Sequence, residues 1–122
     1  MQDEKILEFV CEQSKRMGIS SPHVVIKRLK RTYGLARPWS WTITLNRDHI
    51  RKGHDSVVKD TIIHELAHLR EYWITGKCGH GKLFKSICEE YGAQPVRIFT
   101  KKIYREVIAA SKKEQRLDKK GL

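Results

Sequence analysis

HELAHLREYWITGKCGHGKLFKSIC, residues 64–88, is the stretch whose reading decides this chain. Its first five residues, His64-Glu65-Leu66-Ala67-His68, set two histidines four apart with a glutamate beside the first. On an α-helix, residues i and i+4 lie one above the other, so both imidazoles reach the same point while Glu65 points beside them. Val57, Val58, Ile62, Ile63, Leu66, Ala67 and Trp73 predict that helix, capped at Asp55-Ser56 and stopped at Gly76. Ile62, Ile63, Leu66 and Ala67 are then available to anchor it in a core. Two helical imidazoles with an adjacent carboxylate form the HExxH pattern, in which the histidines hold a zinc ion and the glutamate works on water.

A catalytic zinc takes three protein ligands and keeps a fourth position open. His80 stands twelve positions after His68, in a Gly-rich loop just ahead of a second predicted helix, 81–91, that carries Leu83, Phe84 and Ile87 on one face and ends at Gly92. Cys78 lies in the same loop, and Glu89 lies in the body of that helix; both are rivals for the third ligand. Glu71, a turn beyond His68, reads more simply as a solvated side chain.

Upstream, Ile6, Leu7, Val10, Cys11 and Met17 recur near a 3.6 period, predicting a helix from an Asp3 N-cap to Met17, ended by Gly18. Residues 23–29 are β-branched and alternate, 31–38 hold a Gly and a Pro and read as a loop, and 39–46 read as a second strand. Alternation aligns Trp41 with Ile43 and Leu45 in the core, whereas Trp39 fits either packing or stacking on a base. Were the 41–46 strand an exposed edge, it could pair with an extended substrate. A last helix is expected from 98 to about 113, with Phe99, Ile103 and Val107 at fourfold spacing and a frayed polar tail beyond.

The chain has 122 residues, 39% hydrophobic and 32% charged, enough for one core and one domain over 1–122, with a basic tail from about 112. The longest apolar runs fall far short of the ~18 to 20 residues that span a bilayer, which excludes a transmembrane helix. The N-terminus carries acids where a secretory signal carries Lys or Arg, so a cytoplasmic protein is expected. Three cysteines without a CxxC pair support neither a disulfide framework nor a zinc ribbon.

The net charge of +11 is unevenly spread: −3 over 1–14, +8 over 15–47, zero over 48–96 and +6 over 97–122. Two basic blocks around a neutral centre suit a polyanion, because Lys and Arg neutralise phosphates and release counterions. Lys27, Arg28, Lys30, Arg31 and Arg37, with Trp39, are the candidates for a groove that tracks single-stranded DNA. The tail residues Lys112, Lys113, Arg116, Lys119 and Lys120 are a solvated helix end or a further phosphate contact.

The 64–88 stretch closely resembles the SprT-like, Spartan-related zinc metallopeptidases, whose HExxH helix is followed by a glycine-flanked histidine and an aromatic, here Gly79-His80-Gly81-Lys82-Leu83-Phe84. The lead-in, Trp41 to Asn46 and Val57 to Ile63, is similar to that family as well. The resemblance implies an α+β, zincin-like single domain, a small mixed β-sheet packed on the HExxH helix and a following helix with the third ligand at its start. It implies His64, His68 and His80 as ligands of one zinc per chain, Glu65 as the catalytic residue, and a protein or peptide substrate. Association with DNA, and action on DNA-bound or DNA-crosslinked proteins at the nucleoid, follow from the resemblance together with the charge. The alternatives are a DNA-binding module with structural zinc and no proteolysis, against which the intact Glu65 argues, and a small peptidase indifferent to DNA. An oxyanion donor is also expected, with Tyr72, Tyr91, His49 and His54 as unranked candidates.

Overall fold

The computed structural model describes residues 1–96 and 100–120, the last eight of these by their backbone alone. In chain order its elements are α1 (Asp3–Met17), β1 (His23–Lys27), β2 (Gly34–Arg37), a 3-10 turn (Pro38–Ser40), β3 (Thr42–Asn46), α2 (Arg47–Lys52), α3 (Asp55–Thr75), α4 (Lys82–Tyr91) and α5 (Lys101–Lys120). The fold is α+β with a small mixed sheet, as the sequence predicts. Strands run in the order β1-β3-β2, with β1 parallel and β2 antiparallel to β3.

Helix α3 is the axis of the molecule. Val57, Val58, Ile62, Leu66, Ala67 and Leu69 are fully buried along it; each large aliphatic there contributes about 1.5–3 kcal/mol by leaving water. Ile6, Val10 and Met17 of α1, Ile43 and Leu45 of β3, Ile50 of α2, and Phe84, Ile87 and Cys88 of α4 complete the core. Leu7 and Cys11, which share the apolar periodicity of α1, are exposed, and Gln13 and Ser14 take buried positions on that helix. Gly18, Gly76 and Gly92 end α1, α3 and α4 in the left-handed conformation, as expected of helix stops.

Several sequence expectations are corrected. Residues 34–37, read as loop, form β2: four residues with a glycine carry little propensity, and their pairing with β3 is a tertiary contact. The strand expected from 39 starts at Thr42, because Pro38 sets a 3-10 turn that closes with Trp41 at φ 51. Trp41 therefore leaves the alternation that would have buried it; it is half-buried against the core and donates its indole N–H to the Ser20 carbonyl at 2.8 Å. β1 stops at Lys27, two residues short of the expected end. Helix α2 has no counterpart among the elements expected from sequence; Asn46 caps it by accepting the Asp48 N–H at 3.1 Å. The caps also shift by one residue: Gln2 precedes α1 in place of Asp3, and the His54 ring accepts the Ser56 N–H at 3.2 Å ahead of α3. α5 extends to Lys120, through the tail expected to fray. The start expected at Ile98 and the packing of Phe99 lie outside the described residues. No helix among the described residues is long and apolar enough to cross a membrane.

Candidate active site

The helical spacing of α3 stacks His64 and His68 with ring centroids 5.1 Å apart, and the loop after Gly76 turns back so that His80 lies 5.7 Å from the first and 4.7 Å from the second. One donor nitrogen from each of the three falls within 4.8 Å of the other two, the single such cluster of metal-capable side chains among the described residues. Three neutral imidazoles are a donor set that zinc takes in catalytic sites, and their convergence within 4.8 Å fits such an ion. Phe84, fully buried at the start of α4, is the floor: it stacks on His68 at 4.2 Å and meets His64 and His80 edge-on at 4.9 and 5.0 Å. The aromatic read as a core residue of α4 is thus also the platform on which all three imidazoles rest.

Burial and mutual proximity keep the pair on α3 neutral, the form that binds metal. His68 is lowered to about 3 by burial and then by the charges of His64 and His80. His64 is lowered mainly by burial, opposed by the Gln94 carbonyl that its Nδ1 faces at 3.5 Å. That carbonyl is itself placed by Asp60, a buried carboxylate that accepts the Gln94 N–H at 3.1 Å. Burial raises Asp60 to about 7, and Glu65 to about 8. A cation beside Glu65 favours its ionised form and offsets that penalty.

Glu65 packs against β2. A Cβ at Gly34 would sit 3.1 Å from both Cγ and Oε2 of Glu65 and 3.3 Å from the Thr44 carbonyl oxygen, so only glycine lets the strand approach the carboxylate this closely. Because β3 is hydrogen-bonded on both sides, it cannot be the exposed edge considered from sequence; β2 is the edge strand beside Glu65.

The rival ligands fall outside the cluster. Cys78 Sγ lies 3.5 Å from His68 Nδ1, its pKa raised by burial and then by Glu71 and Glu65, and Glu89 is exposed on α4. Glu71, expected to be solvated, is buried and accepts the Gly79 N–H at 2.8 Å. Its i+3 spacing from His68 gives the shared helix face, whereas its cover by Gly79 comes from the return of the loop. Of the oxyanion candidates, His49 is buried, stacked on Tyr33 at 3.8 Å, and bonded through Nε2 to Thr61 at 3.0 Å. His54 caps α3, and Tyr91 donates to the Arg16 carbonyl at 3.3 Å, whereas Tyr72 is half-buried.

The basic candidates separate into two groups. Lys27 pairs in register with Asn46 and Arg37 with Thr42, four residues apart on β3, which is about 13 Å at strand rise. Lys27, the last residue of β1, and Arg28, Lys30 and Arg31 of the loop after it are exposed at the Glu65 end of the sheet, and Asn46 clasps that loop by donating to the carbonyls of Leu29 and Thr32 at 3.0 and 2.9 Å. Arg37 and Trp39, the latter 76% exposed, occupy the other end.

A model of the SprT-like family matches residues 4–106. The chain belongs to the SprT-like family. With its HExxH helix intact and His80 brought onto it, this SprT-like chain is a metallopeptidase. No curated protein matches its sequence. Its fold is similar to two solved metallopeptidase zymogens, each 20% identical: jannalysin of Methanocaldococcus jannaschii, with a TM-score of 0.62 over 94% of this chain and 99% of that one, and abylysin of Pyrococcus abyssi, with 0.60 over 89% and 93%.

Proposed function

We propose that this SprT-like protein is a zinc-dependent endopeptidase that binds one zinc per chain through His64, His68 and His80, uses Glu65 as general base, and acts on proteins associated with DNA. The convergence of three imidazole nitrogens within 4.8 Å beside a buried glutamate supports this reading. Zinc held there supplies Lewis acidity to the scissile carbonyl and to the attacking water. Glu65 takes the proton from that water and returns it to the leaving amine. The open edge of β2 lets an extended substrate add as a strand whose backbone passes over Glu65.

The charge at the end of β1 and in the loop before β2 supports DNA association, since Lys27, Arg28, Lys30 and Arg31 are exposed at the Glu65 end of the sheet. Trp39, at the far end of the sheet, is a second contact for a strand long enough to reach it. With that partner the protein acts at the nucleoid in the cytoplasm. The test is cleavage of casein and histones by wild type and by Glu65→Gln, with and without single-stranded DNA and with a chelator control. Expected are zinc retention and loss of turnover by several orders of magnitude in Glu65→Gln, and stimulation of the wild type by DNA. Equal cleavage by both proteins would refute the role of Glu65, and indifference to DNA would leave a peptidase without that partner.

A further inference from the structure

The loop that delivers His80 is poor in its own means of staying put. It runs from Gly76, left-handed at φ 71, through Gly79 and Gly81, and a Cβ at any of these three would meet nothing within 4 Å. Glycine loops lose the most conformational freedom on ordering, and here no tight packing around their backbone offsets that loss. Beyond the ring contacts of His80 itself, order comes from hydrogen bonds, and two residues of the last turns of α3 supply them. The Thr75 hydroxyl donates to the Glu71 carbonyl at 3.0 Å, and its oxygen accepts the Lys77 N–H at 3.1 Å, which directs the chain out of the helix. Glu71 Oε1 then accepts the N–H of Gly79, the residue directly before His80, at 2.8 Å. After Gly81 the loop is taken up by α4, whose Lys85 N–H bonds back to the Gly81 carbonyl at 3.1 Å.

We propose that Glu71 is a positioning residue for the metal site: its buried carboxylate pins Gly79 so that His80 is held over His64 and His68 before any ion arrives. This inference rests on the reading of His80 as the third ligand. Glu71 shares the helix face of His68, one turn further on, so the rigid rod that fixes two ligands also fixes the anchor of the third. A charge-assisted bond from a backbone N–H to a carboxylate is stronger than its neutral counterpart, and burial shields it from competing water. The arrangement puts a supporting hydrogen bond on the residue next to a loop ligand; partners bonded to ligands themselves set metal affinity by 10- to 100-fold, and that is the scale taken for this bond.

The test is zinc affinity, read by competition with a chromophoric chelator, in a double-mutant cycle with His80→Ala. Glu71→Leu, which keeps bulk but removes the acceptor, should weaken zinc binding 10- to 100-fold in the wild-type background and by less than 3-fold when His80 is already Ala. Glu71→Gln retains an acceptor oxygen for Gly79 and should stay within about 3-fold of wild type. The d–d spectrum of the cobalt-substituted protein should be preserved in Glu71→Gln and altered in Glu71→Leu. Should Glu71→Leu fail to fold, Gly79→Pro removes the same hydrogen bond from the donor side and carries the same expectation. Equal losses from Glu71→Leu in both backgrounds, or wild-type affinity in Glu71→Leu, would overturn the positioning role. Unchanged zinc affinity in His80→Ala would instead overturn the ligand assignment on which the inference rests.

Discussion

Adding one methyl group at Gly34 perturbs the site where it is tightest. The Cβ of Gly34→Ala stands 3.1 Å from Glu65 Cγ, about 0.4 Å inside the ~3.5 Å at which carbon atoms begin to attract. On its other side lies the Thr44 carbonyl at 3.3 Å, part of β3, which is bonded to neighbours on both edges, so the methyl finds no room on that side and the flexible Glu65 side chain gives more readily. Relief falls on the Glu65 side chain. Misplacement by 1 Å costs roughly 100-fold in rate, so a few tenths of an ångström should lower kcat roughly 10-fold, or about 1.4 kcal/mol in the barrier. KM should change less than about 2-fold, because the β2 backbone offered to substrate is unaltered. Zinc content should be unchanged, since the methyl meets no imidazole. Folding stability should stay within about 1 kcal/mol of wild type, the entropic gain of Gly→Ala offsetting the crowding. Gly34→Val, with two further carbons toward Glu65, should cost roughly 100-fold or more. Turnover of a fluorogenic peptide, metal analysis and urea unfolding check each part. Wild-type kcat in both variants would refute the argument, and zinc loss in either would locate the effect in the ligands and not in Glu65.

Other outcomes follow from the buried titratable groups and the charge. With Asp60 raised to about 7, the native state binds this proton more tightly than the unfolded chain does, so its contribution to stability falls as pH rises from about 4 to 7; in metal-free protein, Asp60→Asn should remove that fall, on the order of a few kcal/mol, in urea titrations at pH 4.5 and 8. His49 has the opposite sign: lowered to about 4 by burial and then by the N-terminal ammonium, it must stay neutral beside Thr61, and stability should be lost as pH falls from about 6.5 to 4. Since Thr61 spends its own proton on the Val57 carbonyl at 3.1 Å, His49 is the donor between them, and His49→Phe should flatten the acid limb while lowering stability at pH 7 by about 1 kcal/mol. Replacing Lys27, Arg28, Lys30 and Arg31 by Ala should weaken single-stranded DNA binding and reduce its salt slope by about 3, leaving cleavage of a short free peptide unchanged; an unaltered slope in fluorescence anisotropy would remove this loop from the DNA reading.

Local spacing by itself determined the HExxH helix, because a 3.6-residue period and four-residue separations are properties of neighbouring residues. Asp55 to Thr75 with its Gly76 stop, the paired His64 and His68, and the burial of Ile62 and Leu66 were legible for that reason. His80 was a candidate by order along the chain, but its meeting with the other two imidazoles depends on the return of a loop, which no periodicity encodes. β2 was invisible because four residues with weak propensity become a strand only when β3 supplies the partner, and the same pairing decides that β2, not β3, borders Glu65. Gly34 read as a loop glycine until the strand placed it against that carboxylate. Glu71 read as solvent-facing because helix spacing says which face a side chain occupies, whereas whether water reaches that face is decided by what folds over it: here, the backbone of Gly79.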